Sequence, residues 1–191
     1  MAILPIVTYN DPVLREKTAT IESDSVELQL LIDNMFKTMY NSKGVGLAAP
    51  QIGKPLQLFV MDADVMTEEY DDEEDLGPMV FINPEIVARK GEHLIMEEGC
   101  LSIPEVRDDV SRPAEIIIKY KDRNFNDQAL KADGWISRVI QHEYDHLNGI
   151  LFLDYLSAFR RRLHRNTLKK IKAGILETEY PLMPKQPVEQ E

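Results

Sequence analysis

Cysteine is nearly missing. Cys100 is the only one among 191 residues, so no internal disulfide can form and a reducing compartment is the natural setting. Apolar runs longer than a few residues are also lacking, which excludes a membrane-spanning helix by hydropathy. The opening Met1-Ala2-Ile3-Leu4-Pro5 has neither a basic stretch leading into an apolar one nor an Arg/Ser-rich character, and it reads as leaderless and cytoplasmic. Positive charge is in deficit, with 22 Lys and Arg against 33 Asp and Glu. That balance argues against a general nucleic-acid binder and against specific DNA recognition. No internal repeat and no Gly/Ser linker divides the chain, so one domain is expected over residues 1–175. Pro181, Pro184 and Pro187 mark 176–191 as a flexible tail. A chain of this length buries enough surface to fold without a structural metal, so a metal, if held, serves chemistry.

The charge that is present is unevenly placed. Nine acids and no base fall between Asp62 and Asp75, a density that repels itself and reads as a solvated insertion between two strands. Seven bases and no acid fill residues 160–172, where Leu156, Phe159, Leu163, Leu168, Ile171 and Ile175 recur at near-helical spacing. The expectation is one helix that docks this apolar stripe on the body and turns a basic face outward, suited to a polyanion such as RNA. Residues 26–41 place Leu28, Leu31, Ile32, Met35 and Met39 on one helical face, and Gly44 closes that helix. Short β-like runs at 56–61, 79–82, 85–88 and 115–120 complete a mixed α+β pattern.

The strongest helix signal runs from Gly134, with Asp133 as a candidate N-cap, to Asn148-Gly149. It contains His142-Glu143-Tyr144-Asp145-His146, an H-E-x-x-H motif whose i, i+4 spacing stacks both imidazoles on one side. Two ligands can then share one metal, and Glu143, about 100° round the helix, can reach a water beside it as general base. Trp135 and Val139 continue the same face, so the imidazoles point inward. A catalytic site of this kind wants a third protein ligand. The metzincin pattern fails because Phe152 stands where its histidine would be, and the glutamate of other zinc peptidases has no counterpart nearer than Glu177. Cys100, within Glu98-Gly99-Cys100-Leu101-Ser102, is the remaining soft donor. Gly44-Val45-Gly46-Leu47-Ala48-Ala49 fits a dinucleotide fingerprint, but a helix precedes it, and Pro50, Gly53 and Pro55 interrupt any crossover helix after it, so nucleotide binding is rejected. The glycines suit close approach of an extended ligand, with Gln51 as an amide donor.

Together Gly44 to Gln51, Glu98 to Ser102 and His142 to His146 resemble, in order and spacing, the three signature motifs of peptide deformylases. Asp11-Pro12-Val13-Leu14-Arg15 is also similar to that family's N-terminal region. The resemblance implies an α+β fold, with antiparallel or mixed sheets around a central metal-binding helix and flanking N- and C-terminal helices. It implies hydrolysis of the formyl group of formyl-methionyl nascent polypeptides, with release of formate. By resemblance Cys100, His142 and His146 bind the metal, usually Fe²⁺, with Zn²⁺, Ni²⁺ or Co²⁺ in purified protein. Glu143 is the implied acid/base, assisted at the formyl oxygen by Gln51 and the Leu101 backbone. Gly46, Val45, Arg107 and Val139 are the implied substrate contacts. Arg138 falls where the family forms its methionine pocket, either lining it or facing solvent. The basic 160–172 face suggests ribosome contact. An H-E-x-x-H metallopeptidase and a non-catalytic, metal-stabilised ribosome-binding module are the alternative readings.

Overall fold

The structure, a computed structural model, describes residues 1–64 and 76–184. Most of the acidic 62–75 segment therefore lies outside the described residues, as does everything beyond 184. The elements are α1 (Val26–Asn41), β1 (Gly46–Ala48), β2 (Leu58–Asp62), β3 (Pro78–Cys100), β4 (Ile103–Lys121), β5 (Asp127–Ala132), α2 (Gly134–Leu147), α3 (Ala158–Leu163) and α4 (Arg165–Ala173). Among the described residues no helix is long and apolar enough to cross a membrane.

Helix α1 starts where Ser25 accepts a hydrogen bond from Leu28 N, satisfying an amide that has no partner within the helix. Its stripe of Ile32, Met35 and Met39 is fully buried against Leu47, Leu58 and Val60. Burial of each such side chain contributes about 1.5–3 kcal/mol. Side chains alternate along a strand, so Ala48, Phe59 and Met61 face the other way, onto Phe81 and the Ile136, Val139 and Ile140 stripe of α2. The two helices thus sandwich β1 and β2, and β2 is apolar on both faces.

The sheet is antiparallel with order β1-β2-β3-β4-β5. Of the short β-runs expected from sequence, 56–61 falls on β2, while 79–82, 85–88 and 115–120 are parts of one long β3–β4 hairpin. Its register slips at Ile82/Glu85, Ile86/Ala88 and Lys90/His93, and such irregularities bend a ribbon. At Gly91 φ is +76° and a Cβ would stand 3.2 Å from that of Ala114. The bend carries the hairpin's tip, Cys100↔Ile103 closing on Leu101-Ser102, back towards α2.

Two expectations are corrected. The basic segment is two helices joined at His164, whose Nε2 lies 2.7 Å from Asp108 Oδ2. The break divides the apolar stripe: Leu156, Leu168 and Ile171 are buried, while Phe159, Leu163 and Ile175 are exposed. The expected tail is docked over its described part, 176–184. Ile6 N donates to Pro181 O at 2.9 Å and Met183 N to Ile6 O at 2.7 Å, giving a parallel Ile6↔Leu182 bridge. At the acidic segment, the Asp64 carboxylate accepts from Leu76 N at 3.1 Å and Gly77 N at 2.5 Å, drawing its two ends together.

Candidate active site

Helix α2 lies under the hairpin tip and presents its histidines to it. Asp133 occupies the N-cap position without its side chain accepting a hydrogen bond. At the far end Gly149 has φ +70°, and a Cβ there would come 2.8 Å from Arg15 O, so both backbone conformation and space require glycine. Ligand atoms of Cys100, His142 and His146 all lie within 4.8 Å of one another, with Cys100 Sγ 3.3 Å from His146 Nε2. The cysteine and the two histidines come from different elements, β3 and α2, and lie more than 40 positions apart in the chain.

Glu98 fixes one imidazole. Its Oε2 accepts from His142 Nδ1 at 2.9 Å, leaving the other ring nitrogen for the centre. Arg112 donates to both Glu98 oxygens at 2.6 and 3.0 Å and to Asp145 Oδ2 at 2.6 Å. Tyr155 OH donates to Asp145 as well, and Arg138 donates to Glu98 at 2.8 Å and to Val110 O and Leu94 O. Burial alone would raise the Glu98 carboxyl, but hydrogen bonds from His142 and Arg112 outweigh it and hold the group well below the usual carboxylate range. Arg138 is therefore neither a solvent-facing side chain nor a free wall of a methionine pocket: its guanidinium is spent on this network, although the residue borders the cavity.

Glu143 is equally deep but has no such partners. Its Oε2 is buried without a hydrogen-bond partner among the described residues, as is His146 Nδ1. Burial, only partly countered by His142, pushes its carboxyl up to about 7. Gly46 makes room for it: a Cβ there would fall 2.5 Å from Glu143 Oε1 and 2.8 Å from its Cγ. Gln51 Oε1 accepts from Ala48 N at 2.8 Å, which turns Nε2 towards Cys100 Sγ at 3.4 Å and Ser102 Oγ at 3.3 Å.

These groups border a cavity of about 840 Å³ whose walls include Val45, Gly46, Gln51, Leu101, Val139 and Arg107. Of the site residues expected from sequence, all but His146 line this cavity, and His146 is buried beside Cys100. Arg107 stands at the rim, paired with Glu97 at 2.8 Å. The 44–49 glycine segment comes after α1 and runs into β1 and a short 3-10 turn over Ala49–Ile52, which is not the strand–loop–helix of a dinucleotide site. Sequence reasoning missed Arg112 and Asp145, which brace Glu98, and the cavity wall formed by Glu177, Thr178, Glu179 and Tyr180. Alternating burial along β4 was the available sign for Arg112, which falls on the inward phase with Val110 and Asp108.

A thiol and two imidazoles, one of them oriented by a carboxylate, form a donor set that suits a transition-metal ion. The unpartnered Glu143 oxygen beside them fits the same reading.

The chain matches the family model described as polypeptide deformylase over residues 3–162. It is 52% identical to a peptide deformylase of Salinibacter ruber over 186 residues, 96% of this chain and 95% of that protein. It is 47% identical to one from Christiangramia forsetii, again over 186 residues, 94% of this chain and 95% of that protein. The crystal structure of a peptide deformylase from Legionella pneumophila superposes with a TM-score of 0.80 at 40% identity, over 90% of this chain and 96% of that one. One from Ehrlichia chaffeensis, in complex with actinonin, gives 0.81 at 40% identity over 91% and 98%.

Proposed function

This chain belongs to the polypeptide deformylase family, metalloenzymes that hydrolyse the formyl group from the N-terminus of nascent polypeptides, and from that premise we propose how its own residues divide the reaction. The carrying observation is the convergence of the Cys100, His142 and His146 donors within 4.8 Å. These three hold the metal, Fe²⁺ in the working enzyme, with Zn²⁺, Ni²⁺ or Co²⁺ as substitutes. When bound, a divalent metal supplies a Lewis acid and an acidified water with a pKa near 7. Glu143 takes the proton of the attacking water and passes it to the leaving amine, a task suited to a carboxyl that burial has pushed up to about 7.

As the formyl carbon becomes tetrahedral, its oxygen gains negative charge. The Gln51 amide and the Leu101 N–H donate to it, and losing one such donor costs about 2.7–4 kcal/mol of barrier. The substrate backbone lies along Val45 and Gly46, since β1 is the last strand on its side of the sheet. Val139 contributes an apolar contact for methionine and Arg107 a polar contact at the rim. One catalytic domain spans 1–175 with 176–184 docked onto it, and 62–75 is an acidic insertion whose ends Asp64 clips.

Work on nascent chains puts the enzyme in the cytoplasm beside the ribosome. Arg162, Arg165, Lys169 and Lys172 are exposed on α3 and α4 and supply a contact to ribosomal RNA that weakens with salt. Arg160 and Arg161 are engaged internally, with Asp108 and with Leu153 O respectively.

The test is formate release from a formyl-methionyl peptide by anaerobically prepared Fe²⁺ protein. Release should stop on chelation and in Glu143→Ala that still binds metal. Full turnover by metal-loaded Glu143→Ala would overturn the assignment of the base.

A further inference from the structure

Residues 176–184 lie outside the three signature segments, yet Glu177 to Tyr180 within them form one side of the cavity. The segment is fastened at several points: to Ile6 through Pro181 and Met183, and by Lys43 Nζ to Glu179 Oε2 at 2.7 Å. Thr178 Oγ1 donates to Tyr180 O at 2.6 Å and shapes its own turn. From this strap the partly buried Tyr180 reaches inward, and its hydroxyl donates to Leu101 O at 2.8 Å.

Leu101 and Ser102 are the two residues that turn the β3–β4 hairpin. The carbonyl of Leu101 belongs to the peptide plane on its C-terminal side, and its N–H to the plane on its N-terminal side. Only the two soft dihedrals of Leu101 separate those planes. The ends of the turn are closed by the Cys100↔Ile103 pairing, so holding one plane constrains the other. Neighbours pin the turn elsewhere too: Tyr9 N donates to Ser102 O at 2.8 Å, and Gln51 Nε2 lies 3.3 Å from Ser102 Oγ. Tyr180 OH holds the Leu101 carbonyl from the strap.

We propose that Tyr180 is a positioning residue for deformylation: by holding the Leu101 carbonyl, its hydroxyl aims the Leu101 N–H at the formyl oxygen. The C-terminal strap is then a working wall of the active site. The inference rests on Leu101 as an oxyanion donor, so the experiment separates the two claims.

Tyr180→Phe removes one oxygen and keeps the ring. In the metal-loaded enzyme we expect kcat to fall about tenfold, the scale of one lost hydrogen bond, with KM, metal content and Tm unchanged. The Leu101 and Ser102 amides should exchange faster with solvent. Gln51→Ala, which removes the other donor, should lower kcat by about 10²–10³. Full kcat in Tyr180→Phe beside a crippled Gln51→Ala overturns the role of Tyr180 and leaves the oxyanion reading standing. Full kcat in both variants overturns the oxyanion reading. A raised KM at constant kcat, or a fall in Tm with loss of metal, would make Tyr180 a shaping or structural residue and also overturn the proposal.

Discussion

Glu98 and Glu143 are buried to nearly the same depth, 5% and 4% exposed, and their environments drive them in opposite directions. Around Glu98 two guanidiniums and an imidazole supply every hydrogen bond a carboxylate can use, so it stays ionised. Beside Glu143 lies the backbone of Gly46 and an unsatisfied oxygen, so burial dominates and its proton is held up to about neutral pH. Depth alone therefore says little about a buried acid; the donors within reach decide whether it serves as a fixed strut or as a proton carrier.

The largest expected effect separates the two directly. Glu143→Gln keeps the shape and removes the carrier, so kcat should drop by about 10³-fold or more with metal content intact by atomic absorption. Glu98→Gln should act through the framework instead. It leaves Arg112 and Arg138 without their shared anion, at a cost of about 3–5 kcal/mol, and frees the His142 ring, weakening metal affinity about 10–100-fold. Denaturant melts and competitive metal titration would report both, and a stable Glu98→Gln that lost only turnover would erase the distinction. Gly46→Ala strikes Glu143 and the adjoining substrate edge without touching the metal donors: the new Cβ displaces the carboxylate, with about 10²-fold lower kcat and near-native metal binding.

Acidity gives the two groups opposite slopes in the metal-free protein. A carboxyl whose folded pKa is raised leaves the native state holding the extra proton. Stability then falls as pH rises from the ordinary carboxylate value, about 4.3, through about 7 for Glu143. Glu98, depressed in the fold, stabilises above that ordinary value and loses this only as pH falls below it. The wild-type minus Glu143→Gln difference in melts between about pH 4 and 8 isolates the first slope; a difference that grew more favourable with pH would contradict it. The smallest effect belongs to the rim, where both partners of Arg107–Glu97 are 62% exposed. Glu97→Gln should change stability by less than about 1 kcal/mol, measurable against Glu98→Gln one residue away.

How far the sequence foretells this arrangement depends on the range of the interactions involved. Helix α1 and the His142/His146 helix were legible because 3.6-residue periodicity is local, as is the Gly149 stop, although the Ser25 cap of α1 went unread and Asp133 caps nothing with its side chain. The grouping of Cys100 with the two histidines was legible only jointly, since each residue taken alone has an ordinary structural explanation. The hairpin was seen in fragments because its bulges interrupt the alternation that marks a strand. Arg138 was unreadable: whether a helical arginine reaches solvent or a buried carboxylate depends on Glu98, 40 residues earlier. The split stripe around His164 and the docking of Pro181 and Met183 on Ile6 likewise depend on partners distant in the chain.

The Ile6↔Leu182 bridge also sets a timetable. Residues 176–184 leave the ribosome after every segment they touch, and domains fold as their chain emerges. Until that stretch emerges, the cavity lacks the wall that Glu177 to Tyr180 supply. The donors Cys100, His142 and His146 are thus all synthesised before the segment that closes the cavity beside them.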